Sequence, residues 1–266
     1  MTQGRSHWGA YHARWSRLRP PLRPTPDVVT ALREEAERVL ASAPHRTCLV
    51  LGVTPELARL HTPLLAVDRN PSMIEALWPG DEPGRRALCA DWTRLELAAG
   101  TVGFAVGDGS LNVMPHPHPQ IQVLERLREL MPEAMGGAAL RCFVRPSRTE
   151  TTREVAATPE RSQTFHAFKW RLAMAVCAER GVSLRVAELR EELLRRLPDL
   201  PALARRTGWP LEDVQTIHVY ENSPETYSFP SQDEFLEVAR AAGWEGRFRA
   251  VVGYELAERC PLLVLS

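Results

Sequence analysis

The 266-residue sequence predicts an α/β fold, a doubly wound and mostly parallel sheet covered by helices on both faces. Three observations carry this. Apolar runs at 47–51, 64–67, 102–106 and 138–144 recur between segments with helical spacing, the pattern of strands buried on both sides. The first run ends in a glycine, Gly52, and the second in an acid, Asp68. Hydrophobic residues make up 44% of the chain, enough for one large domain, or one domain plus a small cap.

The elements follow in order. Residues 1–26 form an arm rich in aromatics and proline (His7, Trp8, Tyr11, His12, Trp15, then Pro20, Pro21, Pro24 and Pro26). The prolines forbid a continuous helix through 19–26, which leaves room for a short one over about 8–18. A helix starts near Thr25-Pro26-Asp27 and runs to Leu40 on Val28, Val29, Leu32, Ala36 and Val39. Strand 47–51, a short helix at 55–61, strand 64–67 and helix 71–78 come next. A third strand spans Arg86–Ala90 and leads into Asp91-Trp92. A fourth, Val102–Val106, enters Gly107-Asp108-Gly109-Ser110. Helix 117–132 and strand 138–144 complete the alternation.

Residues 147–214 read instead as an α-helical insertion after the fifth strand, with helices at about 161–180 and 185–197. Residues 215–221 have the composition of a strand. Helix 231–242 opens on a capping box, Ser231 with Glu234, and closes at Gly243. Segments 247–255 and 260–265 are expected to pair antiparallel. The organisation is therefore an arm at 1–26, a candidate lid, and a domain at 27–266 that carries the insertion.

Composition narrows the function. Lys+Arg and Asp+Glu balance at 33 each, so no basic excess attracts nucleic acid. Five scattered cysteines contain no C-x-x-C pair, which disfavours both disulfides and zinc. No apolar run reaches a spanning length and the N-terminus lacks a signal-peptide core. No membrane association and a cytoplasmic location are the expectations.

Gly52 lets backbone approach a ligand closely, and a carboxylate such as Asp68 accepts both hydroxyls of a ribose. The pair points to a nucleoside. A 2′-phosphate would be repelled by the acid.

These features, in this order, resemble the class I S-adenosylmethionine-dependent methyltransferases. The resemblance covers about 25–145 and, by topology, 215–266. It rests on Val50-Leu-Gly52 with its turn, on Asp68 sixteen residues later, on Asp91-Trp92, and on Gly107-Asp108-Gly109 closing the fourth strand. The chain departs from the family's glycine pattern, because Thr54 and Pro55 stand where later glycines would. The resemblance implies a seven-stranded sheet with an antiparallel last strand. It implies S-adenosylmethionine as cofactor, held by Gly52, Thr54, Pro55, Asp68, Asn70, Asp91, Trp92, Gly107, Asp108, Gly109 and Ser110. Asp91 would meet the adenine amine and Trp92 the ring.

Methyl transfer demands little acid–base power, because the sulfonium is already activated; alignment and exclusion of water matter more. Tyr11, Asn112 and His116 are the candidates for the reacting centre. Trp15, His118, His166 and Tyr227 are the candidates to hold a small-molecule acceptor. Each has a plainer reading: the arm as a staple, Met114-Pro-His116-Pro-His118 as a rigid polar loop, the helix around His166 as core. Three functions stay open: methyl transfer to an oxygen, nitrogen or sulfur; another reaction at the sulfonium that releases methylthioadenosine; and a binding protein that keeps the fold without chemistry. The sequence leaves the assembly open, a homodimer included.

Overall fold

The computed structural model describes residues 7–42, 46–132 and 136–266, without the side chains of 10–13. Helix α1 (Trp8–Tyr11) and a 3-10 segment (His12–Arg17) open the chain. In α2 (Pro26–Leu40), Thr25 caps the start by accepting from the Val28 N–H, and proline occupies the first helical position. Then come β1 (Thr47–Leu51), β2 (Leu64–Asp68), α3 (Pro71–Leu77), β3 (Arg85–Cys89), β4 (Val102–Asp108), α4 (His118–Leu130) and β5 (Gly137–Arg141). The segment after β5 holds α5 (Thr152–Ala157), α6 (Phe165–Arg180), β6 (Ser183–Arg185), α7 (Val186–Arg196), α8 (Leu200–Thr207), α9 (Leu211–Val214) and β7 (Thr226–Ser228). The chain ends with α10 (Gln232–Ala241), β8 (Gly246–Arg249) and β9 (Leu262–Leu265).

The main sheet has seven strands in the order β3-β2-β1-β4-β5-β9-β8. Strands β1 to β5 run parallel, while β9 lies antiparallel to both β5 and β8. Alternate residues of each strand feed opposite faces. Cys48 and Val50 of β1 pack with Phe104 and Val106 of β4 under Val28, Leu32 and Leu40 of α2. Leu49 and Leu51 pack with Ala105 and Leu140 under Val123, Leu124 and Leu127 of α4 and Phe235 of α10. This split is why the strands read as unbroken apolar runs.

A third core lies in the helical segment. Helix α6 is buried from Phe165 through Cys177. Its cluster takes in Leu18 and Leu22 of the arm and Phe143 beyond β5, so this segment joins the sheet and the N-terminal arm.

One expected element is corrected. Residues 215–220 form a 3-10 helix continuous with α9, not a strand. Thr216, Ile217 and Tyr220 are buried there, a helical rather than alternating spacing. The strand pairing in this region is between β6 and β7, each three residues long. No described helix is long and apolar enough to cross a membrane.

Candidate active site

The carboxyl ends of β1 to β4 open into one cavity of about 450 Å³. Strand β1 is flanked by β2 on one side and β4 on the other, so the order reverses there. Such a switch point leaves a crevice beyond the strand ends.

Gly52 follows β1 with φ of 105°, a conformation that side chains disfavour, and its N–H donates to the Val67 carbonyl at 2.8 Å. An added Cβ would point within 4.0 Å of Asp68 Oδ2, so the open space at Gly52 adjoins the acid at the end of β2. Asp68 Oδ1 accepts from the Asn70 N–H at 2.9 Å. Burial pushes the Asp68 carboxyl above its ordinary range; the Asn70 and Val53 N–H groups and the Arg69 charge oppose this without cancelling it. Asn70 caps α3, its Oδ1 accepting from the Ser72 N–H at 3.1 Å and hydroxyl at 2.8 Å.

Beyond β3, Asp91 Oδ1 accepts from the Thr93 N–H at 2.8 Å and hydroxyl at 2.7 Å. Burial raises its pKa, but the two Thr93 bonds and the charges of Arg69 and Arg94 outweigh that and leave it lowered. The Trp92 indole N–H donates to the Val67 carbonyl at 2.7 Å, which fixes the ring at the cavity wall.

At the end of β4, Asp108 meets the fully buried guanidinium of Arg141 at 2.5 Å. Arg141 also donates to the Pro21 carbonyl at 2.7 Å and to the Tyr254 hydroxyl at 3.3 Å. Burial opposes the charge on Arg141, yet its pKa is raised because Asp108 faces it. Gly109 has φ of 67°, and a Cβ there would fall 2.7 Å from the Phe143 ring. The aromatic ring therefore lies directly on the tip of β4.

The structure brings together most of the residues singled out by sequence. Gly52, Thr54, Asp68, Asn70, Asp91, Trp92, Asp108, Gly109, Ser110, Asn112, Trp15 and Tyr227 all line the cavity. Others take different places. Gly107 lies within β4, where a side chain would run into Ser110 and Leu140, and Pro55 opens a 3-10 turn (Pro55–Leu57); neither reaches the wall. His116 is off the wall with Nδ1 at 2.8 Å from Gln120 Oε1, and His118 is exposed at the start of α4. His166 is fully buried on α6, its Nε2 at 3.1 Å from the Arg17 carbonyl oxygen. Burial and then the nearby Lys169 push its pKa down to about 3. The side chain of Tyr11 lies outside the described residues.

Asn112 touches the cavity, but its amide is committed elsewhere. Its Nδ2 donates to the Phe143 and Ser228 carbonyls at 2.8 and 2.7 Å, and its Oδ1 accepts from the Phe143 N–H at 2.9 Å. Both amide protons are spent, so the expectation of a catalytic Asn112 is replaced by a clamp that holds the exit of β5 against β7. Ser110 is similarly engaged, its hydroxyl donating to the Leu51 carbonyl at 2.9 Å.

Sequence reasoning missed several wall residues. Arg69 pairs with Glu225 at 2.7 Å, and both line the cavity. Phe143 lines it as well, while Arg141 stands behind it. An arginine within Ala138-Ala-Leu-Arg141-Cys-Phe was an available signal, because a charge in a buried strand needs a partner.

Among solved structures, this chain is similar to the methyltransferase CcbJ from Streptomyces caelestis, at TM-score 0.55 and 13% identity over 98% of this chain and 97% of that one. It is similar to the sugar N-methyltransferase KedS8 from a Streptoalloteichus species, at TM-score 0.53 and 11% identity over 100% and 94%. It is also similar to DhpI in complex with SAM and HEP, at TM-score 0.51 and 13% identity over 97% and 93%. No protein-family model and no curated protein matches the chain by sequence. These likenesses define the fold, which is that of the class I S-adenosylmethionine-dependent methyltransferases.

Proposed function

We propose that this protein is a methyltransferase that uses S-adenosylmethionine and acts on a small molecule. The observation that carries the reading is the meeting of Gly52, Asp68, Asp91-Trp92 and Asp108-Gly109 around one cavity, each at the tip of a different parallel strand. The residues present fit the cofactor. Asp68 would accept the ribose hydroxyls beside the side-chain-free surface of Gly52. Asp91, held by Thr93, would accept from the adenine amine, and Trp92 would flank the ring. The tip at Asp108-Gly109 would receive the amino-acid end.

When bound, the cofactor supplies a methyl group on a positively charged sulfur. An acceptor lone pair aligned with that group would take it up and leave S-adenosylhomocysteine. The chain's own work is alignment and dryness. The arm contributes to the second, because Trp8, Trp15 and Leu22 line the cavity. Arm residues are tied to the body by the Arg23–Glu56 pair and by the Pro21 carbonyl on Arg141. The names of the similar structures, a sugar N-methyltransferase among them, support a small acceptor.

Calorimetry with S-adenosylmethionine and S-adenosylhomocysteine tests the first half of the proposal, with saturable binding expected. Chromatography of the spent nucleoside, after incubation with extracts of small metabolites, tests the second. S-adenosylhomocysteine is the expected product. Methylthioadenosine would overturn methyl transfer, and absence of binding would overturn the cofactor with it.

A further inference from the structure

We infer that the acceptor is a flat aromatic molecule carrying no positive charge, seated against a wall formed by Phe143, Trp170, Tyr227 and Trp8. This rests on the methyltransferase reading and adds the substrate class to it. The four rings belong to distant parts of the chain, yet they are continuous. Ring centroids stand 5.5 Å apart for Phe143–Trp170, 5.8 Å for Trp170–Tyr227 and 6.3 Å for Trp8–Tyr227. All four line the cavity. The wall begins on Gly109, where Phe143 packs, and so adjoins the strand tip proposed for the reactive end of the cofactor. Contiguous ring surface of this kind favours an aromatic, polarisable partner, which can stack on or meet the edges of the rings.

Charge then selects among aromatics. Lys169 is fully buried behind this wall, its Nζ 5.5 Å from the Trp170 centroid and 3.3 Å from the Tyr220 hydroxyl. Among the described residues no carboxylate forms a salt bridge with it. Arg141 stands 5.3 Å from the Phe143 centroid, its charge matched by Asp108. Two of the four wall rings, Phe143 and Trp170, thus already face cations. The acids at the cavity are committed, Asp108 to Arg141 and Glu225 to Arg69, with Asp68 and Asp91 at the nucleoside end. A cationic acceptor would meet the unmatched Lys169 charge across one ring. A neutral ring would feel no such repulsion, and an anionic one would be attracted.

The test uses the full chain saturated with S-adenosylhomocysteine and reads tryptophan fluorescence, since Trp8, Trp15 and Trp170 line the site. Three probes of matched size are titrated at pH 6, where Lys169 carries its charge: 2-naphthol, 2-naphthoate and 2-naphthylmethylammonium. Saturable quenching by 2-naphthol is expected, with the ammonium weaker by about tenfold or more. Equal or tighter binding of the ammonium, or no saturable binding of any probe, overturns the inference. In Lys169→Met the ammonium should gain about fivefold or more relative to 2-naphthol; an unchanged ratio in a variant with wild-type circular dichroism would remove Lys169 as the cause and sink the charge argument. Should that variant not fold, the wild-type titration still decides. Failure of S-adenosylhomocysteine to bind in calorimetry strikes the methyltransferase reading itself. Binding of S-adenosylhomocysteine without any naphthalene strikes only the acceptor class.

Discussion

Asp68 and Lys169 are two partly or fully buried ionisable groups that stand in opposite positions. Asp68 sits at the cavity, where ligand hydroxyls would replace the water it lost on folding. A hydrogen bond to a charged group contributes about 1.5–3 kcal/mol. Asp68→Ala should therefore weaken S-adenosylhomocysteine about tenfold to a hundredfold, read by calorimetry, with little change in melting temperature of the free protein. Burial raises its pKa, so protonation sets in at higher pH than for an ordinary aspartate. Protonation removes a charged acceptor, and affinity should fall as pH drops toward the raised value; an affinity that begins to fall only in the range of an ordinary aspartate would contradict this. Lys169 has no such ligand. Burial lowers its pKa to about 7, below the unfolded value of about 10.4. Below pH 7 the folded state carries the full cost of the buried charge. Between about 7 and 10.4 the unfolded chain binds more protons than the folded one, so this cost fades as pH rises. Lys169→Met should raise the melting temperature at pH 6, and the gain should shrink by pH 9. A gain that grows with pH would mean that the lysine is not desolvated as described.

At the scale of elements, what was legible in the sequence was whatever one segment could signal alone. Strands β1 to β5 announced themselves because burial on both faces demands unbroken apolar runs. Their tips were legible because glycine and acid are conspicuous at the end of such runs. The segment 215–221 misled because Thr216, Ile217, Val219 and Tyr220 favour strands by type. Its position directly after α9 overrode that preference, with the Thr216 hydroxyl donating to the Asp213 carbonyl at 2.6 Å. Asn112 could not be understood without its partners, since Phe143 and Ser228 come from two other elements. Its removal leaves three backbone groups without their bonds, at about 1–3 kcal/mol each. Asn112→Ala should therefore lower the melting temperature sharply, whereas a group acting only in catalysis would leave it unmoved. The arm was legible as an element, with the lid and the fixed staple as its two readings. Arg17 is exposed there and is followed by Leu18, so trypsin has a cleavable bond in the arm. Saturating S-adenosylhomocysteine should slow that cleavage if the arm closes over the ligand, and an unchanged rate would make it a fixed staple.

At the scale of the whole molecule, the cavity is where separate parts of the fold meet. The strand tips come from the sheet, Trp170 and Tyr227 from the helical segment after β5, and Trp8, Trp15 and Leu22 from the arm. The sequence offered Tyr227 and the aromatic arm singly but not the wall, since residues 8, 143, 170 and 227 become neighbours only when all three parts assemble. The third core, which joins Leu18 and Leu22 to Phe143 and to α6, makes that assembly continuous with folding. A ligand bound across such a meeting point stabilises the molecule as a unit, because it holds together parts that must separate on unfolding. At a hundred times its Kd, a ligand that binds only the folded state adds about 2.7 kcal/mol. For a chain of this size each kcal/mol shifts the melting temperature by about 2–4 °C. S-adenosylhomocysteine at that excess should therefore raise the melting temperature by about 5–10 °C. The transition should stay single, with far-ultraviolet ellipticity and tryptophan fluorescence moving together, because α6 and the wall tryptophans belong to the structure that the ligand ties to the sheet. The same excess over wild-type Kd should give Asp68→Ala a much smaller shift. Two separated transitions, with only the later one moved by ligand, would show that the helical segment unfolds independently and that the site is borne by the sheet alone.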